Sequence, residues 1–498
     1  MAIGPQPLIT LIALNRFGLG ARPGDFAAAA ADPRGFLAQE LRKADVALAS
    51  GDLPTSQNAL QQVFADQERK KQERARTSAA AVPAEKTPAM QMAASPQSQM
   101  GMTQPAAPSA PAGAPTPMAD GKGRVRAPTL EQQLYRAEAL ARIQKQAQAE
   151  AGYVERLVAF WSNHFAVSVA KGPILRATAG SFEREAIRPH VLGRFADMLK
   201  AVEQHPAMLF YLDNQRSIGP NSRAGRNRGK GLNENLARET LELHTLGVDG
   251  GYTQADVTSL ARIITGWTFA GRLGRIGEPG SFTFLPNWHE PGPQTLLGRS
   301  YAQEGLAQGE AALADLARHP ATARHIATKL IRHFVADDPP PPLVGRIAKV
   351  FADTDGDLAA VSLALIQDDD AWRPPLTKMR TPAEFLLAIA RATGFVPPQP
   401  QPILGALYVM GMALWGPPGP NGFPATADAW ASPEAMKVRL DISWRAAQQV
   451  KNGEEPLAML EAVAGGAASP ETRQAIGRAE SRQQALAILF MSPEFQRR

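Results

Sequence analysis

The chain has 498 residues, a formal net charge of +6 and no cysteine. The lack of cysteine excludes disulfides, thiolate metal sites and thiol nucleophiles, and so small a charge on so long a chain argues against nucleic acid as a partner. With 42 prolines and 42 glycines, the chain is predicted to contain many loops between its folded elements.

The first 76 residues are predicted to be helical, ending in a charged helix over 57–76. A short apolar run at 8–14 has no basic segment before it and no small-residue cleavage site after it, so we predict no signal peptide. No later segment reaches the roughly 18 apolar residues that a membrane span needs. We therefore expect no membrane insertion and a cytoplasmic location.

Residues 77–127 differ in composition from the rest of the chain. They are rich in Ala, Pro, Ser, Gln and Met and have no apolar periodicity, which predicts a long disordered insertion. From residue 128 to the end the helical pattern is nearly continuous, starting with a helix predicted to run from Thr129 past Trp161. We expect 1–76 and 128–498 to form one main helical domain.

The strand signals are few. Phe282 and Phe284 alternate within 281–285, and 295–298 follow after a turn, so we predict a small hairpin or a pair of short strands. The predicted fold is therefore mainly α: a large multi-helix globular domain with a small β-hairpin and the long disordered insertion.

A basic loop precedes the most polar helix of the chain. Between residues 214 and 234 the loop contains five cations and no acid, and glycines keep its backbone open. Such a loop at a helix N-terminus can hold an anion, because free N–H groups and the positive end of the helix dipole meet there. The alternative is a solvated, mobile loop. It is not a phosphate-binding P-loop, since Gly225 and Gly229 are one residue too close.

The helix itself is predicted over 234–246, with Asn233 as its N-cap and a glycine ending it. A rotation of about 100° per residue places Asn235, Arg238, Glu239 and Glu242 on one arc. As a site, the two glutamates would form an acid/base pair or hold a metal while Arg238 binds an anion. As structure, Arg238 and Glu242 would form an ordinary i,i+4 ion pair.

After this helix the chain predicts a glycine-rich turn and a second capped helix. The spacing of Thr253 and Asp256 is that of a capping box. A calcium loop is not supported, because the residues before Gly250 lack the first half of its ligands. Elsewhere, His164 lies in an aromatic cluster and His289 follows the first strand signal, and each is predicted to be either a buried, hydrogen-bonded histidine or part of a site.

These residues resemble the signature of a bacterial family, domain of unknown function 1800. The resemblance is strongest in Asn-Glu-Asn-Leu-Ala-Arg-Glu-Thr-Leu-Glu-Leu-His-Thr-Leu-Gly at 233–247, and continues through 251–256 and 261–267. Supporting blocks lie at 13–20, 160–165, 205–214, 289–293 and 329–334. The chain departs from the family pattern at Glu290, where Asp is more usual, and at Gly422-Phe423, where Gly-Trp is usual.

The resemblance implies no assigned activity, metal or cofactor. A family signature of Asn, Arg and Glu is harder to explain as a surface ion pair, so a functional role or a buried polar network gains weight against that interpretation. Our leading hypothesis is a hydrolase-like enzyme, acid/base or metal-assisted, with a polar anion-binding site on helix 233–247. Its catalytic residues would be Glu242, Glu239 and Arg238. Substrate-binding candidates are Asn233, Asn235, His164, His289 and Arg262. The resemblance also implies an alternative: a non-catalytic accessory protein of a sulfatase-like protein encoded nearby, which it would accompany into the periplasm.

Overall fold

The computed structural model describes residues 5–43, 45–48, 53–80, 127–228, 231–373, 375–450 and 455–498. Within these residues the chain is mostly helical, which confirms the predicted fold class. The α-helices are α1 Pro5–Ile12, α2 Asp25–Ala30, α3 Pro33–Lys43, α4 Ser56–Ala80, α5 Leu130–Gln148, α6 Tyr153–His164, α7 Pro173–Phe182, α8 Phe195–Glu203, α9 Pro206–Tyr211, α10 Gly225–Arg228, α11 Asn235–Glu239, α12 Gln254–Ile263, α13 Leu306–Arg318, α14 Pro320–Phe334, α15 Pro341–Asp353, α16 Leu358–Gln367, α17 Pro382–Thr393, α18 Gln401–Val409, α19 Pro433–Gln449, α20 Pro456–Ala464, α21 Pro470–Gly477, α22 Arg482–Met491 and α23 Pro493–Gln496.

Helices of two other kinds interrupt this pattern. Among the described residues, three segments are π-helical turns: Ala13–Phe17, Glu183–Ile187 and Thr240–Thr245. Short 3₁₀ turns occur at Val169–Lys171, Arg188–His190, Asn214–Arg216, Pro286–Trp288, Asp369–Trp372, Ala427–Trp430 and Gly465–Ala467. Because π-helical turns are rare and often mark functional positions, they direct attention to particular residues.

The strands form two small antiparallel sheets. β1 Trp267–Phe269 pairs with β2 Phe282–Phe284, and β3 Gln294–Leu296 pairs with β4 Arg299–Tyr301. Both predicted strand segments are present, but they do not pair with each other. The small hairpin is formed by β3 and β4, while β2 pairs with the residues that follow α12.

The helix boundaries follow from local capping chemistry. The capping box at Thr253 and Asp256 is confirmed at the start of α12, and a second box joins Thr381 to Glu384 at the start of α17. The helix predicted from Thr129 past Trp161 is wrong in its length. It is two helices, α5 and α6, separated where Gly152 adopts φ +84°, a conformation that favours glycine.

Two compact units divide the chain: Met1–Val63 with Leu130–Arg498, and Phe64–Thr129. In the second unit the described residues are the rest of α4 and the non-helical residues 127–129. Within α4, Asp66 makes ion pairs with Arg69 and Lys70. The predicted insertion, 77–127, lies almost entirely outside the described residues, and α4 continues to Ala80.

The first unit contains the signature helix and the elements that hold it. One hydrophobic cluster joins α1, α17, α20 and α22 through residues such as Leu11, Phe385, Leu460 and Leu486. The signature helix lies elsewhere: α11 contacts α12, and the π-helical turn that follows it contacts α13 and α14. These neighbours fix which side of the helix is buried.

Candidate functional site

The signature helix changes its hydrogen bonding partway along. It begins as α11 and continues as the π-helical turn Thr240–Thr245, in which the N–H of Leu246 donates to the carbonyl of Leu241 at 2.9 Å. The hydroxyl of Thr245 also donates to the carbonyl of Thr240 at 2.6 Å. The predicted helix is therefore present, but the wider turn rotates its later side chains relative to an ideal α-helix.

One side of this helix is partly exposed and polar. Arg238 donates to Glu234 Oε2 at 3.3 Å and to Gln254 Oε1 at 2.9 Å. The hydroxyl of Tyr252 donates to Glu242 Oε2 at 3.3 Å. The ion pair that the sequence suggested between Arg238 and Glu242 is thus replaced by one with Glu234, a turn earlier.

Glu239 lies on the same side and is half-buried. The pKa of its carboxyl group is above the usual value, mainly because the group is buried. The charge of His244 lowers this pKa, and the charge of Glu242 raises it. The pKa of Tyr211 is also raised, by its own burial and then by the charge of Glu239. A carboxyl group that keeps its proton more firmly than usual is suited to acid/base chemistry near neutral pH.

Beneath this face lies a buried polar pair, His244 and Glu203, and Glu203 was not predicted from the sequence. His244 is fully buried, and its Nδ1 lies 2.7 Å from Glu203 Oε1, 41 residues away in sequence. The Nε2 of His164 donates to the carbonyl of His244 at 3.1 Å. The signal for Glu203 was available: it occupies the apolar stripe of α8, with Leu199 and Val202.

A third imidazole completes this interior. His325 Nε2 lies 3.1 Å from the carbonyl of Leu243, and burial followed by the charge of Lys329 lowers the pKa of His325 to about 4. Burial also lowers the pKa of Lys329, to about 8. In the part of the chain that the structure describes, no group of three or more His, Asp or Glu side chains is placed to hold a metal ion.

A family model described as "Protein of unknown function (DUF1800)" matches residues 12–497. The chain belongs to this family. Searches of curated proteins and of solved structures found no match. None of the helices in the described residues is long and apolar enough to cross a membrane.

The sequence blocks of the DUF1800 family meet in space. Phe17, from the first block, stacks on Phe334, from the last, with ring centroids 6.1 Å apart. Phe160 and His333 lie 5.4 Å apart. Blocks separated by more than a hundred residues thus form one core.

The remaining predicted residues lie around the signature helix rather than in one cluster. Asn233 donates to the carbonyl of Asp213 at 3.3 Å and accepts from the N–H of Asn235 at 2.9 Å, so its side chain holds the start of the helix. The N-cap position itself is occupied by Glu234, one residue later than predicted. Asn235 itself is exposed.

Arg262 and His289 lie toward the far end of α12. Arg262 is partly exposed near the end of that helix. His289 lies beyond it, with Nδ1 3.1 Å from the carbonyl of Thr265 and its ring against Phe284. The structure therefore brings Arg238, Glu239 and Glu242 to one face, with Asn235 at its start, and places Arg262, His164 and His289 elsewhere.

Glu290 and Phe423, the two departures from the family pattern, both take part in hydrogen bonds with distant residues. Glu290 is buried and accepts from the backbone N–H of Asn221 at 2.9 Å, so it anchors the basic loop. Asn163 exchanges two hydrogen bonds with the backbone of Phe423, at 3.0 and 2.7 Å. Since these bonds use the backbone, they do not depend on which aromatic residue follows Gly422.

Proposed function

We propose that this chain is an enzyme whose proton-transfer site is the exposed face of the signature helix. The observation that carries the proposal is the half-buried Glu239, whose pKa is raised by burial and by the charge of Glu242, three residues later. Groups with perturbed pKa values next to a second titratable group are typical of acid/base sites. The reaction class that this pair supports is hydrolysis of a small polar or anionic substrate.

In this proposal the two carboxyl groups have different roles. Glu239 donates its proton to the leaving group, while Glu242 accepts a proton from the water that attacks the substrate. The hydrogen bond from Tyr252 to Glu242 orients that carboxylate.

Arg238 would bind the anionic part of the substrate. Both of its hydrogen bonds use one Nη atom, so Nε and the other Nη have no hydrogen-bond partner among the described residues. Asn235, exposed at the start of the helix, would contact the substrate there. For Asn233 and His164 the contacts support positioning, because both hold the helix backbone. We propose weaker, peripheral contacts for Arg262 and His289.

The proton-transfer role can be tested without knowing the substrate. Titration of the glutamate carboxyl ¹³C signals by NMR, with Glu239→Gln to assign the resonance, should give Glu239 a pKa above the ordinary value of about 4.3. Asp249→Asn, an exposed change beyond the helix, is the control and should leave that titration unchanged. An ordinary or lowered pKa at Glu239 would refute the proposal.

A substrate screen tests the reaction class. Nitrophenyl esters, phosphates, sulfates and glycosides are assayed with the wild type, and any activity should fall by about 100-fold or more in Glu239→Gln and Glu242→Gln. Asp249→Asn should retain it. An activity that survives both glutamate substitutions would place the chemistry elsewhere.

A second candidate function is the accessory role, which one surface feature favours. Leu440 and Trp444, one turn apart on α19, are 51% and 43% exposed, and apolar side chains exposed together suit a protein partner. If this function holds, a sulfatase-like protein co-purifies at native expression, and fractionation finds both in the periplasm. Leu440→Glu with Trp444→Glu should abolish co-purification while Glu239→Gln preserves it. Retention of the partner by the double variant would contradict this role.

A further inference from the structure

A cavity of about 100 Å³ lies among α5, α6, α17, α18 and the segment after α18, separate from the signature helix. Most of its wall is apolar, and the side chains that form this wall include Leu387, Leu407, Met412, Leu414, Trp415 and Phe423. None of the residues on the exposed face of the signature helix lines it. The cavity therefore raises a question that is independent of the acid/base proposal.

Arg142, in the cavity wall, is held in place by some of its hydrogen-bond donors, while others are free, among the described residues, to bind a ligand. Arg142 is 7% exposed, and its Nε donates to both oxygens of Glu183, at 3.0 and 2.8 Å. Its guanidinium also lies 5.8 Å from the centroid of the Trp415 ring. Across the described part of the chain, its two Nη groups have no hydrogen-bond partner. A fixed guanidinium with two free donors is well suited to a carboxylate.

A second buried polar group lies beside it. Gln146 is one helical turn after Arg142 on α5, is 1% exposed and lines the same cavity. Its Oε1 has no hydrogen-bond partner in the residues that the structure describes. A carboxylate cannot donate to this acceptor, but the amide turned by about 180° would place Nε2 where Oε1 now lies, and Gln146 would then donate to a ligand next to the guanidinium. A buried amide without a partner is costly unless something binds it.

The floor of the cavity adds positive charge. Glu384 binds Arg156 Nη2 at 2.9 Å and Arg498 Nε at 2.8 Å. His333 Nε2 lies 3.3 Å from Arg156. Burial, followed by the charge of Arg498, lowers the pKa of Arg156 well below its usual value. The lining contains the three cations Arg142, Arg156 and Arg498 and the carboxylate Glu384. Glu183 pairs with Arg142 from outside the lining, so three positive and two negative charges leave one positive charge, which would stabilise an added anion.

We propose that this cavity binds a small organic carboxylate with an apolar body, such as an aromatic acid. The carboxylate would accept hydrogen bonds from the Nη groups of Arg142 and from Gln146, and the apolar body would pack on Leu407 and Trp415. The enclosed volume of about 100 Å³ is smaller than the roughly 150 Å³ of an apolar cavity that holds benzene. Because the cavity is partly open to solvent, it would enclose the carboxylate and part of an aromatic ring, and the rest of the ring would lie at its mouth. A long acyl chain is too large, and an inorganic anion would leave the apolar wall unused.

The test uses the full chain and isothermal titration calorimetry with benzoate as the probe. Benzoate should bind saturably, and benzyl alcohol, its uncharged analogue, should bind about 10-fold more weakly or worse, because it lacks the charge-assisted bonds. Equal binding of the two compounds overturns the proposal, and so does displacement of benzoate by an equal concentration of inorganic phosphate. Absence of saturable benzoate binding also overturns it.

Variants then locate the site. Gln146→Leu removes the buried amide, and Ala159→Leu fills the cavity without changing any charge, so each should weaken benzoate binding by about 10-fold or more. Arg142→Gln should do the same, with thermal melts to check that it folds. Arg184→Gln is the control, since Arg184 binds Glu138 and does not line the cavity. Benzoate binding that survives Ala159→Leu in a folded protein would refute the assignment.

Discussion

The strongest stability prediction concerns Glu183, which is 1% exposed and lies at the start of the second π-helical turn. Its carboxylate accepts hydrogen bonds from Arg142 Nε at 2.8 Å, Arg188 Nη2 at 3.1 Å, Ser162 Oγ at 2.9 Å and Trp415 Nε1 at 3.1 Å. Burial alone would raise the pKa of Glu183, but Arg142 and Arg188 lower it below its usual range. The carboxylate is therefore ionised and central to a buried network.

We expect Glu183→Gln to reduce the free energy of unfolding by about 3–5 kcal/mol. Glutamine keeps the shape of the side chain but removes the negative charge. Arg188 retains Glu155, at 2.8 Å, whereas Arg142 makes no other ion pair among the described residues. The cost therefore comes mainly from leaving the Arg142 charge buried and uncompensated.

The matched control is an exposed ion pair. Lys349 and Asp353, 2.6 Å apart on α15, are 73% and 57% exposed, and Asp353→Asn should cost no more than about 0.5 kcal/mol. Urea denaturation followed by circular dichroism gives both values from the shift in midpoint. If Glu183→Gln costs less than about 1 kcal/mol, Arg142 does not depend on its buried partner and the reasoning fails.

Three further changes test other parts of the structure. Gly247→Ala should reduce the free energy of unfolding by about 1–3 kcal/mol, because Gly247 has φ +86° and an added Cβ would lie 2.8 Å from His325 Nδ1. The control is Gly405→Ala, in open space on α18, which should be neutral or stabilising in the same urea assay. Glu290→Ala should speed tryptic cleavage of the basic loop severalfold, since its carboxylate holds the loop backbone; an unchanged cleavage rate would contradict this. Burial alone would raise the pKa of Glu384, but the two arginines that bind its carboxylate hold that pKa far below the usual range. The ionised Glu384 therefore stabilises the fold fully above about pH 4.3, and this stabilisation is lost as the pH falls below that value. Thermal melts from pH 7 to pH 2 should therefore show the stability advantage of the wild type over Glu384→Gln shrinking in acid, and a constant difference would refute the assignment.

Much of the fold follows from local sequence signals. The capping box at Thr253 depends on residues three apart, and the structure confirms it. The strand pairing could not be predicted in the same way, because β2 pairs with Trp267–Phe269, which follows α12 directly after Gly266 at φ +81°. The break at Gly152 was missed for a related reason: a glycine within a helical pattern is compatible with either a continuous helix or a turn.

The candidate site shows the same difference between local sequence signals and tertiary contacts. Helical periodicity was sufficient to place Arg238, Glu239 and Glu242 on one face. It could not identify Glu203 as the partner of His244, because a contact between two helices depends on tertiary packing. Nor could it predict the π-helical turn, since a shift from i−4 to i−5 bonding depends on which side chains satisfy the carbonyls that it frees.

The side chains that satisfy such carbonyls come from distant parts of the chain. Around the turn Thr240–Thr245, the carbonyls of Leu243 and His244 receive hydrogen bonds from His325 and His164. Near the turn Ala13–Phe17, Arg156 donates to the carbonyls of Asn15 and Gly18, both at 3.2 Å. These carbonyls lie where the helical hydrogen bonding ends, so they have no intrahelical N–H partner and need a donor from elsewhere. Each donor comes from another helix, so we expect the end of each turn to be stabilised by the donor that pairs with its carbonyls.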